Sequence, residues 1–221
     1  MSLIISIFLY DAILMGADSR AVKDGGYITD TRTKLFVSKN NVGVSTCGDR
    51  SVNGYNIEPY IEQFLESHSK SSVTEIANAI TPFFLELQPD LDTIFHVCGF
   101  ESDDNGNMVK RKYYVHTINS EVEENTFETG AIWNGTIDIM NMLIGQAYYK
   151  KDNGKFEPYS EYEIDWNHLN ILEGVELIKF FIETTQKMMS FQNRRQSVGG
   201  KVEILLLRPN EHQWISKKEL K

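Results

Sequence analysis

Two short apolar runs open the chain. Residues 3–9 read Leu-Ile-Ile-Ser-Ile-Phe-Leu, and residues 12–17 read Ala-Ile-Leu-Met-Gly-Ala and stop at Asp18. Each run is too short for an ordinary helix and is rich in Ile and Leu. The pattern predicts two strands of a tight hairpin turning at Tyr10-Asp11. A loop bearing Gly25 and Gly26 follows over 21–33, and residues 34–37 and 41–46 predict two further strands turning at 39–41. The period then lengthens. Ile57, Ile61, Phe64 and Leu65 fall at helical spacing, with Pro59 tolerated near a helix start. Ser72 and Glu75 have the spacing of a capping box, ahead of an apolar face of Ile76, Ile80, Phe83, Phe84 and Leu87 with a kink expected at Pro82.

The second half repeats the alternation of periods. Residues 92–99 and 110–118 predict a hairpin closed by Asp103-Asp104-Asn105-Gly106-Asn107. Residues 122–128 predict a short strand, 137–148 a helix and 150–167 a polar, aromatic loop. Leu172, Val175, Ile178, Phe181 and Ile182 mark a long helix to about Gln192, and strands are expected over 202–207 and 213–215. Strands and helices that segregate rather than alternate point to stacked layers, not to a parallel sheet with crossover helices. The expected architecture is α+β, with two sheets face to face and helices outside. One domain is expected over 1–221, since no repeat, linker or low-complexity stretch divides the 221 residues.

Composition changes this picture little. Hydrophobic residues make up 41% and charged residues 24%, the mix of an ordinary globular protein. The net charge of −9 and the lack of a Lys/Arg block argue against a phosphate backbone as partner. Residues 3–9 lack a basic leader and are cut by Asp11, so a secretory signal is not expected. No run approaches the ~20 apolar residues of a spanning helix, so no membrane partner is expected either. Cys47 and Cys98 sit in strand-like runs and read as buried thiols of a reducing cytoplasm. His68, His96, His116, His168 and His212 are scattered without the paired spacing of a zinc site, so no metal is expected. No phosphate-binding loop or nucleotide motif is present, and no cofactor is expected. Asn134-Gly135-Thr136 matches a glycosylation site by chance. Cys47 with one of the histidines would be a rival nucleophile, weighed against an inert buried thiol.

The candidate chemistry lies in the opening. The hairpin carries Asp18 back beside Ser2, and Lys34 begins the next strand. A hydroxyl at a free N-terminus, a buried carboxylate and a lysine between them form a compact catalytic group. Its chemistry requires loss of Met1, which a small second residue permits. The freed α-amine, with a pKa near ~8, would take the proton from its own Oγ.

The segment Asp11-Ala-Ile-Leu-Met-Gly-Ala-Asp18-Ser19-Arg20-Ala21 resembles the opening of proteasome β-type subunits and their bacterial relatives, the N-terminal-nucleophile (Ntn) hydrolases. Ser2, Asp18, Lys34 and Gly48 fall at the family's spacings for its nucleophile, aspartate, lysine and glycine. The tail from Ser197 to Ile204 and Gln213-Trp214-Ile215 is similar to its last two strands. The resemblance implies a four-layer αββα sandwich and peptide hydrolysis by acyl transfer to Ser2, with Asp18 paired to Lys34 and the Gly48 N–H at the oxyanion. It further implies a hydroxyl role for Thr129, ahead of Gly130. A pocket lined by Ala21, Arg32 and Arg50 with Phe36 on its wall would favour acidic residues. The implied partners are a peptide or protein substrate and other copies of the chain in a closed homo-oligomeric ring, and an ATPase partner is admitted. Two departures stand out. The family generally uses threonine where this chain has Ser2. Its later serine and aspartate slots hold Val198 and Arg195, with Ser197 one residue off. An inactive assembly subunit of this fold and an amidase of a small non-peptide amide are the competing readings.

Overall fold

The computed structural model describes residues 2–22, 26, 28–144, 148–158 and 164–218. Four strands come first: β1 (Leu3–Phe8), β2 (Ile13–Ala17), β3 (Leu35–Val37) and β4 (Gly43–Gly48). Helices α1 (Glu58–Ser67) and α2 (Val73–Leu87) follow. Next come β5 (Thr93–Ser102), β6 (Met108–His116), β7 (Glu121–Glu124) and β8 (Gly130–Gly135). Helices α3 (Asp138–Ile144) and α4 (Ile171–Phe191) then lead to β9 (Glu203–Arg208) and β10 (Glu211–Ser216). These strands form two five-stranded antiparallel sheets, ordered β8-β1-β2-β9-β10 and β7-β6-β5-β4-β3.

The layers follow from which side chains each strand buries. Ile4, Phe8, Ile13, Met15, Leu35, Leu205 and Leu207 meet between the sheets, with Cys47 and Cys98 among them. On the outer face of the first sheet, Leu3, Ile5, Ile7 and Leu14 pack against Ile178, Phe181 and Ile182 of α4 and Met140 of α3. On the outer face of the second, Val44, Phe95 and Val97 pack against Ile61 and Phe64 of α1 and Ile76, Ile80 and Phe84 of α2. The result is the αββα sandwich of the Ntn hydrolase fold. Burial on both faces explains why β1 and β2 read as continuous apolar runs rather than as alternating ones.

Helix ends match their sequence signals. The Ser72 side chain accepts from Glu75 N while the Glu75 carboxylate accepts from Ser72 N. An equivalent box, unread in the sequence, starts α4 at Asn170 and Glu173. Helix α2 runs on through Pro82.

Four local expectations are corrected. Residues 130–135 form β8 at the edge of the first sheet, where no strand was expected. The helix expected over 137–148 is α3, ending at Ile144; residues 145–147 of that span lie outside the described residues, and Tyr148 belongs to a ribbon of Tyr148–Lys150 with Phe156–Pro158. That ribbon occupies part of the expected loop, of which 159–163 lie outside the described residues. A second ribbon pairs Ala21–Val22 with Ile28–Thr29 in the early loop, whose residues 23–25, Gly25 among them, and 27 lie outside the described set.

One polar chain crosses the inter-sheet core. Ser6 Oγ lies 3.0 Å from His96 Nδ1, and His96 Nε2 lies 2.8 Å from Asn134 Oδ1. Burial drives the His96 pKa down from 6.5 to about 4, so the ring is neutral in the folded protein. Between those two values the unfolded chain binds the proton and the folded one does not. Stability present above pH 6.5 is therefore lost as the pH falls toward 4. Urea titrations of wild type across this window should lose up to about 1.4 kcal/mol per pH unit relative to His96→Gln. Parallel curves for the two proteins would contradict a neutral buried His96.

Candidate active site

Antiparallel pairing of β1 with β2 sets Ile4 opposite Ala17, so Asp18 leaves β2 beside the start of β1. Its buried carboxylate gathers four donors. Oδ1 accepts from Leu3 N at 3.0 Å and Lys34 Nζ at 2.5 Å. Oδ2 accepts from Arg20 N at 3.1 Å and Gly199 N at 2.9 Å. The carboxylate thus ties the start of β1, its own loop, the entry to β3 and the segment before β9. Lys34 and Asp18 are both fully buried, and their ion pair is among the few polar features of this core. Burial pulls the Lys34 ammonium down to about 7 against the attraction of Asp18, and the nearby Arg50 charge adds to the fall.

Ser2 is wholly buried at the head of β1. Thr136 N donates to Ser2 O at 2.6 Å. Just before it, Gly135 adopts a φ of +101° at a point where a Cβ would collide with Ser2 O. Only glycine lets the end of β8 come so near. Thr136 Oγ1 lies 3.1 Å from the Oγ of buried Ser197, so two hydroxyls stand behind the Ser2 main chain. On the other side, Arg50 Nη2 donates to Ser2 Oγ. The Arg50 Nε and Nη1 are buried without an acceptor among the described residues.

The remaining candidates divide. Gly48 ends β4 with a φ of +117°, and a Cβ there would strike Asp92 O, so the close approach to β5 demands glycine. Ala21 is buried next to the site loop. Arg32 is tied to Asn56 Oδ1 at 2.6 Å and Glu58 Oε1 at 3.5 Å. Phe36 is 5% exposed, sits in the core beneath α1 and α2, and lines a cleft with Leu35, Leu65 and Trp214 that does not include Ser2. Thr129 is drawn out of the site by register. Gly130 pairs with Phe8 at the far end of β1, whereas Gly135 pairs with Leu3, so Thr129, six residues from Gly135, stands about 20 Å down the strand at ~3.3 Å per residue. Its Oγ1 donates to Asn167 Oδ1 at 2.6 Å on the surface. The residues beside Ser2 are Gly135 and Thr136, which the sequence offered only as part of a glycosylation match. Cys47 is no rival, because burial pushes its thiol up to about 12 and keeps it protonated. Among the described residues no group of three or more His, Cys, Asp or Glu side chains could hold a metal ion.

No protein-family model and no curated protein matches the chain. Solved structures do. The Anbu (Gly-1) mutant from Hyphomicrobium sp. strain MC1 superposes with a TM-score of 0.66 at 13% identity, covering 98% of this chain and 87% of that one. The likeness is one of fold, and that fold is of the proteasome-like Ntn type. The suspected place among proteasome β-type subunits is corrected by these findings: at 13% identity, and with no family model matched, what is shown is the architecture.

The donor set of Asp18 ranks two substitutions. Asp18→Ala strands a buried ammonium and three backbone N–H groups and should cost about 3–5 kcal/mol. Lys34→Met leaves the carboxylate its three backbone donors and should cost less, about 1–3 kcal/mol. Chemical denaturation of both variants checks the order; equal losses would show that the backbone donors contribute nothing.

Proposed function

We propose that the chain is an Ntn amidohydrolase that cleaves peptide bonds by acyl transfer to Ser2 once Met1 is removed. The observation that carries this reading is that the buried Asp18–Lys34 pair holds Leu3 N, and with it the adjoining Ser2, at the head of β1. Met1 itself lies outside the described residues. In this reading the freed α-amine of Ser2 takes the proton from Oγ as Oγ attacks the scissile carbonyl. The same proton passes to the leaving amine, and water then releases the acyl group by the reverse steps. Lys34 steadies the negative charge that develops on Oγ. Asp18 holds Lys34 and the start of β1 in place. The Gly48 N–H is the proposed oxyanion donor. Thr136 and Ser197 orient the amine in this reading.

A second reading, an inactive assembly subunit of the same fold, draws on the hydrogen bond from Arg50 to Ser2 Oγ, which occupies the nucleophile. The two readings separate on labelling. Protein with Ser2 at its N-terminus should form a covalent adduct at Ser2 with a β-lactone or peptide epoxyketone, read by intact mass and peptide mapping. Ser2→Ala should abolish the adduct, and protein retaining Met1 should not react, because an amide nitrogen is not a base. An unlabelled processed protein would give first place to the inactive subunit.

The partners of this reading are a peptide or protein substrate and further copies of the chain, with room for an ATPase partner. Its place is a reducing cytoplasm, where the free buried thiols of Cys47 and Cys98 persist. No helix among the described residues is long and apolar enough to cross a membrane. Leu172, Phe180 and Phe191 leave large apolar surfaces exposed on α4, which suits a contact repeated between copies. Sedimentation velocity at micromolar concentration should show a closed oligomer, and a lone monomer would end that part of the reading.

A further inference from the structure

The second sheet is open at its β3 edge. Hydrogen bonds alternate along an antiparallel strand, and here Thr46 N donates to Lys34 O at 2.9 Å while Ser38 N donates to Val42 O at 2.8 Å. Lys34, Phe36 and Ser38 therefore turn their main-chain groups to β4. Leu35 and Val37 turn theirs outward, where no described strand or side chain meets them. Sheet edges are ordinarily blunted by charge. Here Leu35, Phe36 and Val37 are all apolar, and the flanking Lys34 and Lys39 are each taken by a carboxylate, that of Asp18 and that of Glu66. The edge runs along a cleft of about 360 Å³. One wall is α1, with Leu65 and Glu62, and the other is β10, with Trp214.

We propose that this cleft docks an extended segment of a partner polypeptide, added antiparallel to β3 as a sixth strand, with an apolar–basic–apolar pattern. Residues opposite one another in an antiparallel pair share a face. Leu35 and Val37 lie on the inter-sheet face with Trp214, so the two guest residues that bond to them turn toward that wall. Lys217 already rests over the Trp214 ring at 4.5 Å, so a second cation is repelled there and an apolar side chain is admitted. Phe36 lies on the α1 face with Leu65, so the guest residue between the other two turns toward α1. Its stem covers Leu65 and its cation reaches Glu62, which is exposed and has no ion pair among the described residues. Glu66, one turn on, is held by Lys39 at 2.5 Å. The main-chain ladder gives affinity for an extended chain, and the two walls give the selection.

The test uses full-length protein and end-labelled peptides read by fluorescence anisotropy, and none of it depends on chemistry at Ser2. Thr-Val-Lys-Val-Thr should bind about threefold to tenfold more tightly than Thr-Val-Glu-Val-Thr. Glu62→Lys should reverse that preference. N-methylation of both valines removes the two N–H groups that face β3 and should cost at least about tenfold in affinity. N-methylation of the lysine removes an N–H that faces away and should leave the affinity within about threefold. Val37→Pro removes one edge N–H, keeps the bonds to β4, and should weaken binding of the parent peptide by about threefold or more. No saturation by millimolar peptide, equal affinities for the two N-methylated peptides, or a lysine-over-glutamate preference that is absent or survives Glu62→Lys each overturns the proposal.

Discussion

One carboxylate organises the end of this molecule where chemistry is possible. Asp18 is fully buried, and a buried carboxylate persists only if its lone pairs are filled. The fold fills them with three backbone N–H groups from separate segments and one ammonium. Each donor in turn fixes something. Leu3 N fixes the start of β1 and therefore Ser2. Gly199 N fixes the approach to β9. Lys34 Nζ fixes where β3 enters the second sheet. The hub joins the two sheets at an edge where no apolar contact could set a position so narrowly.

Burial pulls down the pKa of both cations nearby, but they are left with different partners. Lys34 keeps a carboxylate, so its burial leaves an ammonium poised near neutrality rather than a lost charge. Arg50 keeps only a hydroxyl, and two of its nitrogens are orphaned. Charges this poorly repaid would unsettle a small core. Here they are gathered at one end of three apolar clusters that hold every other layer together. A second polar crossing, Ser6–His96–Asn134, is neutral and paired. It also places β8, because Asn134 immediately precedes the glycine that lets the strand end approach Ser2.

Much of this was legible in the sequence where local pattern and tertiary demand agree. The opening hairpin, the capping box at Ser72 and the pairing of Asp18 with Lys34 follow from run length, cap spacing and the need to pair a buried charge. Strand β8 was missed because its residues carry no strong period: Ala131, Ile132, Trp133 and Asn134 are all half-buried. Missing β8 also misplaced the hydroxyl. Thr129-Gly130 and Gly135-Thr136 both join a threonine to a glycine, and only the register of β8 on β1 shows which pair ends beside Ser2. The surroundings of Phe36 and Arg50 were not legible for a similar reason. Which face of β3 a side chain takes, and whether an arginine finds a partner, depend on packing between segments far apart in the chain.

The shared fold sets how far analogy carries. At 13% identity the likeness fixes layers and connectivity, and it is silent about side chains. The chemistry must therefore be argued from the groups present here. Serine in place of threonine removes the methyl that restricts χ1, so something else must hold the hydroxyl. Arg50 does so in this structure, from outside the Asp18 hub. In the nucleophile reading that hydrogen bond occupies a lone pair of the attacking oxygen, so the contact that holds the hydroxyl also opposes its attack.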